Sequence, residues 1–143
     1  MTTTSAARKF SWSVDSGAAV TVVPRHIATD YPLEALGSGV TYNAASGHKV
    51  QDLGGRRIIG KVTTDGGEAF KGVKARVAEV TRGLLSVAEV VDVGGDAYFS
   101  KTESWIRPAG GTQKIPLERR GQTFELDMEI APYDPHFRGP ATP

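Results

Sequence analysis

The sequence of 143 residues has no cysteine, which excludes disulfide bonds, thiolate metal sites and cysteine nucleophiles. It has no apolar run near the roughly 18 residues that a membrane-spanning helix needs, so no membrane partner is expected. Its first residues lack the apolar stretch of a secretory signal. An excess of one charge is also missing, since 17 Lys and Arg stand against 16 Asp and Glu. This balance argues against a nucleic-acid surface, which usually has a clear basic excess.

Several catalytic motifs are missing as well. The three histidines, His26, His48 and His136, have no partner at metal-ligand spacing, so we expect surface or turn positions and no zinc site. Residues 37–39, Gly-Ser-Gly, lack the third glycine of a phosphate-binding loop and precede no predicted helix. No Gly-x-Ser-x-Gly elbow occurs, so a serine hydrolase is not indicated.

Glycine and proline are plentiful, with 17 and 8 residues, and together they indicate a turn-rich chain and not a helical bundle. One compact domain is predicted over residues 10–130, after a loose leader at 1–9. The segment 131–143 holds four of the eight prolines and almost no aliphatic residues. Such a composition buries little apolar surface, so we expect a linker-like tail.

Short strands account for most of the predicted domain. Alternating apolar residues predict a strand at 10–14, and Asp65-Gly66-Gly67 predicts a hairpin turn. A helix is predicted from Ser86 to residue 93, capped by Ser86, with Glu89 at its third position and glycines after it. The other predicted strands lie at 18–23, 40–42, 48–50, 56–64, 68–80, 97–100, 104–107, 113–117 and 123–130. This pattern predicts a small, mostly antiparallel all-β domain with one short helix.

The two basic pairs and the two tryptophans are expected to have structural and not functional roles. Arg56-Arg57 and Arg119-Arg120 are interpreted as solvated strand ends or edge protection and not as a nucleic-acid patch. The two tryptophans, Trp12 and Trp105, are interpreted as core or interface aromatics.

Asp15 is the candidate functional residue. Asp, Ser and Gly are common turn formers, so Asp15-Ser16-Gly17 is in isolation most simply a turn. Here, however, the acid directly follows an alternating strand, and an apolar run resumes at once behind it. Such placement brings an ionisable side chain to the floor of a β domain, where carboxylates tend to be functional.

Three motifs in order resemble retropepsin-like aspartic proteases. Val14-Asp15-Ser16-Gly17-Ala18 resembles their active-site signature, and Tyr42-Asn43-Ala44-Ala45-Ser46-Gly47 falls where they carry the flap hairpin that closes over substrate. Gly83-Leu84-Leu85-Ser86-Val87 is similar to the segment behind the catalytic loop in proteases of copia-type retrotransposon polyproteins. Later stretches also resemble that branch, so the resemblance covers about residues 10–130: Tyr98-Phe99, Trp105-Ile106, Leu117-Glu118-Arg119-Arg120-Gly121 and Phe124-Glu125-Leu126.

The resemblance implies a small acid-protease β-barrel that works as a two-fold homodimer. Asp15 would be the catalytic acid, Ser16 would hydrogen-bond across the dimer axis, and Gly17 would turn its amide toward the carboxylate. The substrate would be a polyprotein inside the cell, in the cytoplasm, of which this domain is itself a part. No metal or organic cofactor is implied.

One alternative stays open at this point. A decayed or domesticated relative could keep the β domain for peptide binding or dimerisation without catalysis. Cleavage of a denatured protein mixture by the pure protein would separate this alternative from an endopeptidase.

Overall fold

The computed structural model describes residues 8–35, 41–43 and 49–136, and at 41–43 and 49–52 it describes the backbone alone. Within these ranges the chain is mostly β-strand, with one short helix, as the sequence predicts. The elements, in chain order, are β1 (Arg8–Asp15), β2 (Val22–Pro24), β3 (Thr41–Asn43), β4 (Lys49–Thr64), β5 (Gly67–Ala78), β6 (Leu84–Ser86), α1 (Val87–Asp92), β7 (Asp96–Phe99), β8 (Ser104–Arg107), β9 (Ile115–Pro116), β10 (Glu118–Arg120) and β11 (Thr123–Ile130).

Six strands close into a barrel. Their order is β11-β1-β6-β2-β5-β4, and β4 pairs again with β11 through Ile130 opposite Gly60. The strands β3 and β10 extend this sheet, while β7, β8 and β9 form a separate antiparallel sheet of three strands. Closure leaves few unpaired backbone edges, which is how small β domains avoid edge-to-edge association.

The barrel encloses the apolar core. Trp12 is fully buried, and its ring meets Phe10 edge-on at 5.0 Å between centroids. Trp12 therefore belongs to the core, whereas Trp105 is half-buried on β8 and stacks on Tyr98 at 5.4 Å. Other buried members of the core come from β2, β4, β5, β6, β8, β9 and β11: Val23, Ile58, Val62, Val77, Leu85, Ile106, Ile115, Leu126, Met128 and Ile130. Burial of these side chains is the main stabilising contribution expected for such a domain.

The predicted hairpins are present, but one long strand serves both of them. β4 pairs with β3 at one end, Tyr42 opposite Val50, and with β5 along the rest of its length. Asp65 and Gly66 form the turn between β4 and β5, and Gly67, the first residue of β5, has φ +110°. A positive φ at this position suits the αL residue of a hairpin with a G1 bulge, which glycine adopts without strain.

Two strand predictions need correction. The apolar run at 18–23 forms a strand only at Val22–Pro24. The Thr21 carbonyl still accepts from the Arg76 amide of β5, but the Thr21 amide bonds to the Glu89 side chain and the Ala18 carbonyl bonds to the Ser86 hydroxyl, so regular pairing does not continue before Val22. The predicted strand at 113–117 is limited to Ile115–Pro116, and Glu118–Arg120 forms a strand that the sequence did not predict. Arg119 and Arg120 lie on this edge strand, as expected of edge protection.

The interpretation of Arg56 as a solvated strand end is wrong. Alternation along β4 turns Arg56 inward, with 8% exposure, and turns Arg57 outward toward Glu34. The Arg56 guanidinium donates to the carbonyl oxygens of Tyr31, at 3.0 Å, and Arg25, at 3.2 Å. Burial lowers the pKa of Arg56 because it removes the guanidinium from water. The two carbonyl oxygens compensate part of this loss by accepting its hydrogen bonds.

Both ends of the described chain contact the barrel. Arg8, expected to lie in a loose leader, begins β1 and forms an ion pair with Asp30 at 2.6 Å. Ala131, where the tail was predicted to start, accepts a hydrogen bond from the Tyr31 hydroxyl at 2.6 Å, and the Tyr133 amide donates to Asp30. Residues 1–7 and 137–143 lie outside the described residues. Among those described, no helix has the length and apolarity to cross a membrane.

Candidate functional site

Asp15 is the last residue of β1 and is half-buried. Its strand runs parallel to β6, with Val14 opposite Leu85 and Asp15 opposite Ser86. β1 is also paired with β11 on its other side. The Asp15 carboxylate is therefore delivered by a strand that is fixed on both edges, at the point where the chain leaves the barrel sheet.

The loop after Asp15 turns back on the carboxylate. Oδ1 of Asp15 accepts a hydrogen bond of 2.7 Å from the amide of Gly17, the contact expected of this glycine. A Cβ on Gly17 would lie 3.3 Å from that same oxygen, closer than most side chains tolerate. The amide of Ala18 makes a longer contact of 3.4 Å with the Asp15 carbonyl. Ser16 and Gly17 are exposed, so the carboxylate sits at a surface that another molecule can reach.

Ser86 holds this loop from behind. Its side chain is fully buried, and its hydroxyl donates a hydrogen bond of 2.7 Å to the carbonyl oxygen of Ala18. The same hydroxyl accepts 3.1 Å from the Glu89 amide and so caps α1, as predicted. Leu85, just before it, is buried in the core, and Leu84 is half-buried. The Leu84-Leu85-Ser86 segment thus lies directly beside the end of β1, as the sequence motif indicated.

Thr21 and Glu89 complete the connection, and sequence analysis gave neither of them a role at this site. Glu89 lies at the third helical position, where a glutamate often accepts the cap residue's amide in a capping box, but its Oε1 accepts instead from the Thr21 amide at 2.6 Å. The Ser86 amide donates 3.0 Å to the Thr21 hydroxyl, which takes the place of the capping-box bond. These contacts span 65 and 68 residues of sequence, so no local pattern signals them.

The predicted flap is described only at its base. Asn43 pairs with Lys49 at the end of the hairpin formed by β3 and β4. Ala44, Ala45, Ser46 and Gly47 lie outside the described residues, and so does His48. The other two histidines, His26 and His136, are exposed. No cluster of three potential metal ligands occurs in the described part of the chain.

Arg82 is a third residue near this site that sequence analysis did not single out. It precedes β6 in the loop after β5, and its Nη1 donates 3.3 Å to the hydroxyl of Ser13. Ser13 lies two residues before Asp15, on the same face of β1 by strand alternation. A loop arginine has no periodicity and its partner is 69 residues away, so this contact is visible only in the structure.

A groove of about 430 Å³ opens elsewhere on the barrel, over β1, β4 and β11. Its charged groups largely neutralise one another. Arg120 binds Asp127 at 2.7 Å, and Lys61 lies 3.6 Å from Glu68. Asp127 also accepts from Ser11, and its pKa is lowered, chiefly by the Arg120 hydrogen bond. With its charges paired in this way, the groove is a weaker candidate than the Asp15 loop.

Searches with protein-family models, among curated proteins and among solved structures find no match to this chain. A single carboxylate can accept a proton from water, but it cannot at the same time donate one to a carbonyl oxygen. One Asp15 carboxylate could therefore serve as only one half of an acid–base pair.

Proposed function

We propose that the chain is an aspartic endopeptidase with a retropepsin-like barrel, most similar to the copia-type branch. The observation that carries the proposal is the Asp15 loop: a carboxylate at a strand end, bonded to the Gly17 amide at 2.7 Å and held from behind by Ser86. The closed six-strand barrel with one short helix is compatible with this fold.

A second copy of the chain supplies the missing carboxylate. Two-fold symmetry brings residues near its axis against their own equivalents, so an exposed Asp15 loop on the axis pairs Asp15 with the partner's Asp15. Two carboxylates about 3 Å apart cannot both ionise, and they share one proton. Ser16, which is exposed, hydrogen-bonds across the axis in this arrangement and keeps the two loops in register.

Cleavage then needs no cofactor. The ionised carboxylate of the pair takes a proton from a water molecule, which attacks the scissile carbonyl carbon. The protonated carboxyl donates its proton to the carbonyl oxygen, which gives a tetrahedral diol. As the C–N bond breaks, the carboxyl that took the water proton gives it to the leaving amine nitrogen, and one diol hydroxyl returns its proton to the other carboxylate, so that the pair again shares one proton. The substrate is a polyprotein segment, bound extended beneath residues 43–47 and hydrogen-bonded like an added strand.

The deciding experiment compares the wild-type chain with Asp15→Asn. We expect the wild type to cleave a denatured protein mixture between acid and neutral pH and to sediment as a dimer. Asp15→Asn is nearly isosteric but can neither accept nor share the proton, so cleavage falls to background while the circular dichroism spectrum stays unchanged. The dimer persists or tightens because carboxylate repulsion is gone. Full activity of the Asn variant would disprove the proposal.

A further inference from the structure

The side chain of Arg82 is held beside the end of β1 that carries Asp15. Its Nη1 donates 3.3 Å to the Ser13 hydroxyl, and the Ser13 amide donates 2.9 Å to the carbonyl oxygen of Gly83. The loop of Arg82 is therefore tied to β1 by two bonds. A strand rises about 3.3 Å per residue, so Ser13 and Asp15 lie about 7 Å apart on one face. A peptide that lay extended over Asp15 along this face of β1 would therefore come near the guanidinium.

The side chain of Arg82 is exposed, and its guanidinium has no carboxylate partner among the described residues. Other arginines do have one: Arg8, Arg25, Arg107 and Arg120 each bind a carboxylate at 2.6 to 2.8 Å. A guanidinium has five N–H donors in a fixed planar fork that fits a carboxylate with two parallel bonds. The bond to Ser13 uses one of them, which leaves donors for an incoming group.

We propose that Arg82 forms a subsite for an acidic side chain of the bound peptide and so determines specificity. The effect of this subsite on cleavage rests on the proposed function, whereas its effect on peptide binding does not. A glutamate or aspartate near the scissile bond would be repelled by the Asp15 pair, and Arg82 offsets that repulsion. A two-fold dimer carries one Arg82 on each side of its axis. We therefore expect a preference for Asp or Glu within two residues of the scissile bond, on both its N-terminal and its C-terminal side.

The first test is a cleavage profile. Wild-type protein is incubated with a proteome-derived peptide mixture, and cleavage sites are read by mass spectrometry. We expect Asp and Glu to be enriched within two residues of the cut. For a matched pair of peptides that differ only in Glu or Gln there, kcat/KM should favour Glu by about tenfold or more, the usual effect of a charged hydrogen bond.

Three variants show whether Arg82 is responsible. Arg82→Glu should reverse the preference toward Lys, and Arg82→Lys should keep its sign with a smaller ratio because a lysine cannot bind bidentately. Lys101→Glu is the matched control, since it makes the same charge change at an exposed position between β7 and β8 and should leave the ratio unchanged. Cleavage without acidic preference, or a preference untouched by Arg82→Glu, would overturn the subsite and leave the proposed endopeptidase standing.

A binding measurement separates the two proposals. Fluorescence anisotropy of the labelled Glu and Gln peptides is recorded on the wild type, on Asp15→Asn and on the Asp15→Asn/Arg82→Glu double variant. One outcome is that the wild type cleaves no peptide, yet binds the Glu peptide at least tenfold tighter than the Gln peptide and loses this advantage in the double variant. In that case the endopeptidase proposal fails and the subsite is supported. If there is neither cleavage nor charge-selective binding, both proposals fail.

Discussion

The hydroxyl of Ser86 donates a 2.7 Å hydrogen bond to the carbonyl oxygen of Ala18, a residue 68 positions earlier in the chain. The same buried oxygen accepts the amide of Glu89 and begins helix α1. One side chain therefore joins the Asp15 loop to the helix behind it, and displacement of either would break a bond to the other. Ser86 acts as a positioning residue in the proposed site, since it contacts the loop and not the reacting atoms.

Replacing Ser86 by alanine should destabilise the protein and slow cleavage. Loss of a serine cap costs about 1 kcal/mol, and the partly buried Ala18 carbonyl left without its donor adds about 1–3 kcal/mol. We therefore expect the free energy of unfolding, measured in urea, to fall by roughly 2–4 kcal/mol. The cleavage rate per folded molecule should fall as well because the Ala18 side of the loop is released.

Ser100→Ala is the matched control for Ser86→Ala. The Ser100 hydroxyl likewise donates to a carbonyl and accepts from backbone amides, two of them where Ser86 accepts one, but these bonds lie at an exposed turn between β7 and β8. Water can replace exposed hydrogen bonds, so the stability loss should be smaller and cleavage should not change. Equal effects of the two variants on cleavage would show that Ser86 acts through stability alone.

The arginines at 56 and 57 make a second matched pair. Arg56→Met leaves the carbonyl oxygens of Tyr31, at a buried bond, and Arg25, at a partly buried one, without their donor, so we expect a loss of roughly 2–3 kcal/mol. Arg57→Met removes an exposed contact of 3.4 Å with Glu34 and should change stability by less than about 0.5 kcal/mol. Urea unfolding of both variants measures the difference. Similar small losses would contradict the burial of Arg56.

Local patterns account for what the sequence predicted well. The alternation at 10–14, the Asp65 turn and the Ser86 cap each depend on residues a few positions apart, and all three are present. The loop at Asp15 was identifiable for the same reason, since acid, hydroxyl residue and glycine follow one another.

Long-range contacts account for the errors. The run at 18–23 has strand-forming residues, yet Thr21 gives its amide to Glu89 and Ala18 gives its carbonyl to Ser86, so only the last part joins the sheet. Arginine side chains are usually exposed, but Arg56 lies on the inward face of β4 and is buried because its guanidinium donates to a backbone carbonyl oxygen there. Neither competing bond is encoded near the residue it affects.

Asp30 should make the stability depend on pH in the acid range. Partial burial raises the pKa of Asp30, but hydrogen bonds from Arg8 and the Tyr133 amide outweigh this and hold it below its ordinary value of 3.8. A lowered pKa in the folded state stabilises the protein above that ordinary value, and the contribution disappears as pH falls through the folded pKa. Because Asp30 is over a third exposed, we expect less than about 1 kcal/mol.

The measurement for Asp30 is the difference in unfolding free energy between wild type and Asp30→Asn from pH 6 to pH 2.5. Other acids with lowered pKa, such as Asp127, cancel in this difference because both proteins contain them. The wild type should be more stable near pH 6, and its advantage should shrink below about pH 4. A difference that stays constant over the whole range would show that Asp30 does not titrate as inferred.

The last prediction uses a peptide analogue to separate an active site from a decayed one. An extended peptide with a hydroxyl in place of the scissile bond mimics the tetrahedral intermediate, so a working Asp15 pair should bind it at least a hundredfold tighter than a plain peptide of equal length. Binding should stabilise the dimer against dilution because the ligand contacts both chains, and it should protect the amides of 44–47, which lie outside the described residues, from hydrogen exchange. A binding domain without catalysis also predicts protection, so protection alone does not discriminate. The hydroxyl does, since its contribution requires a pair of carboxylates sharing a proton, and Asp15→Asn should remove it. Equal affinity for both peptides, measured by calorimetry on the wild type, would favour the non-catalytic alternative.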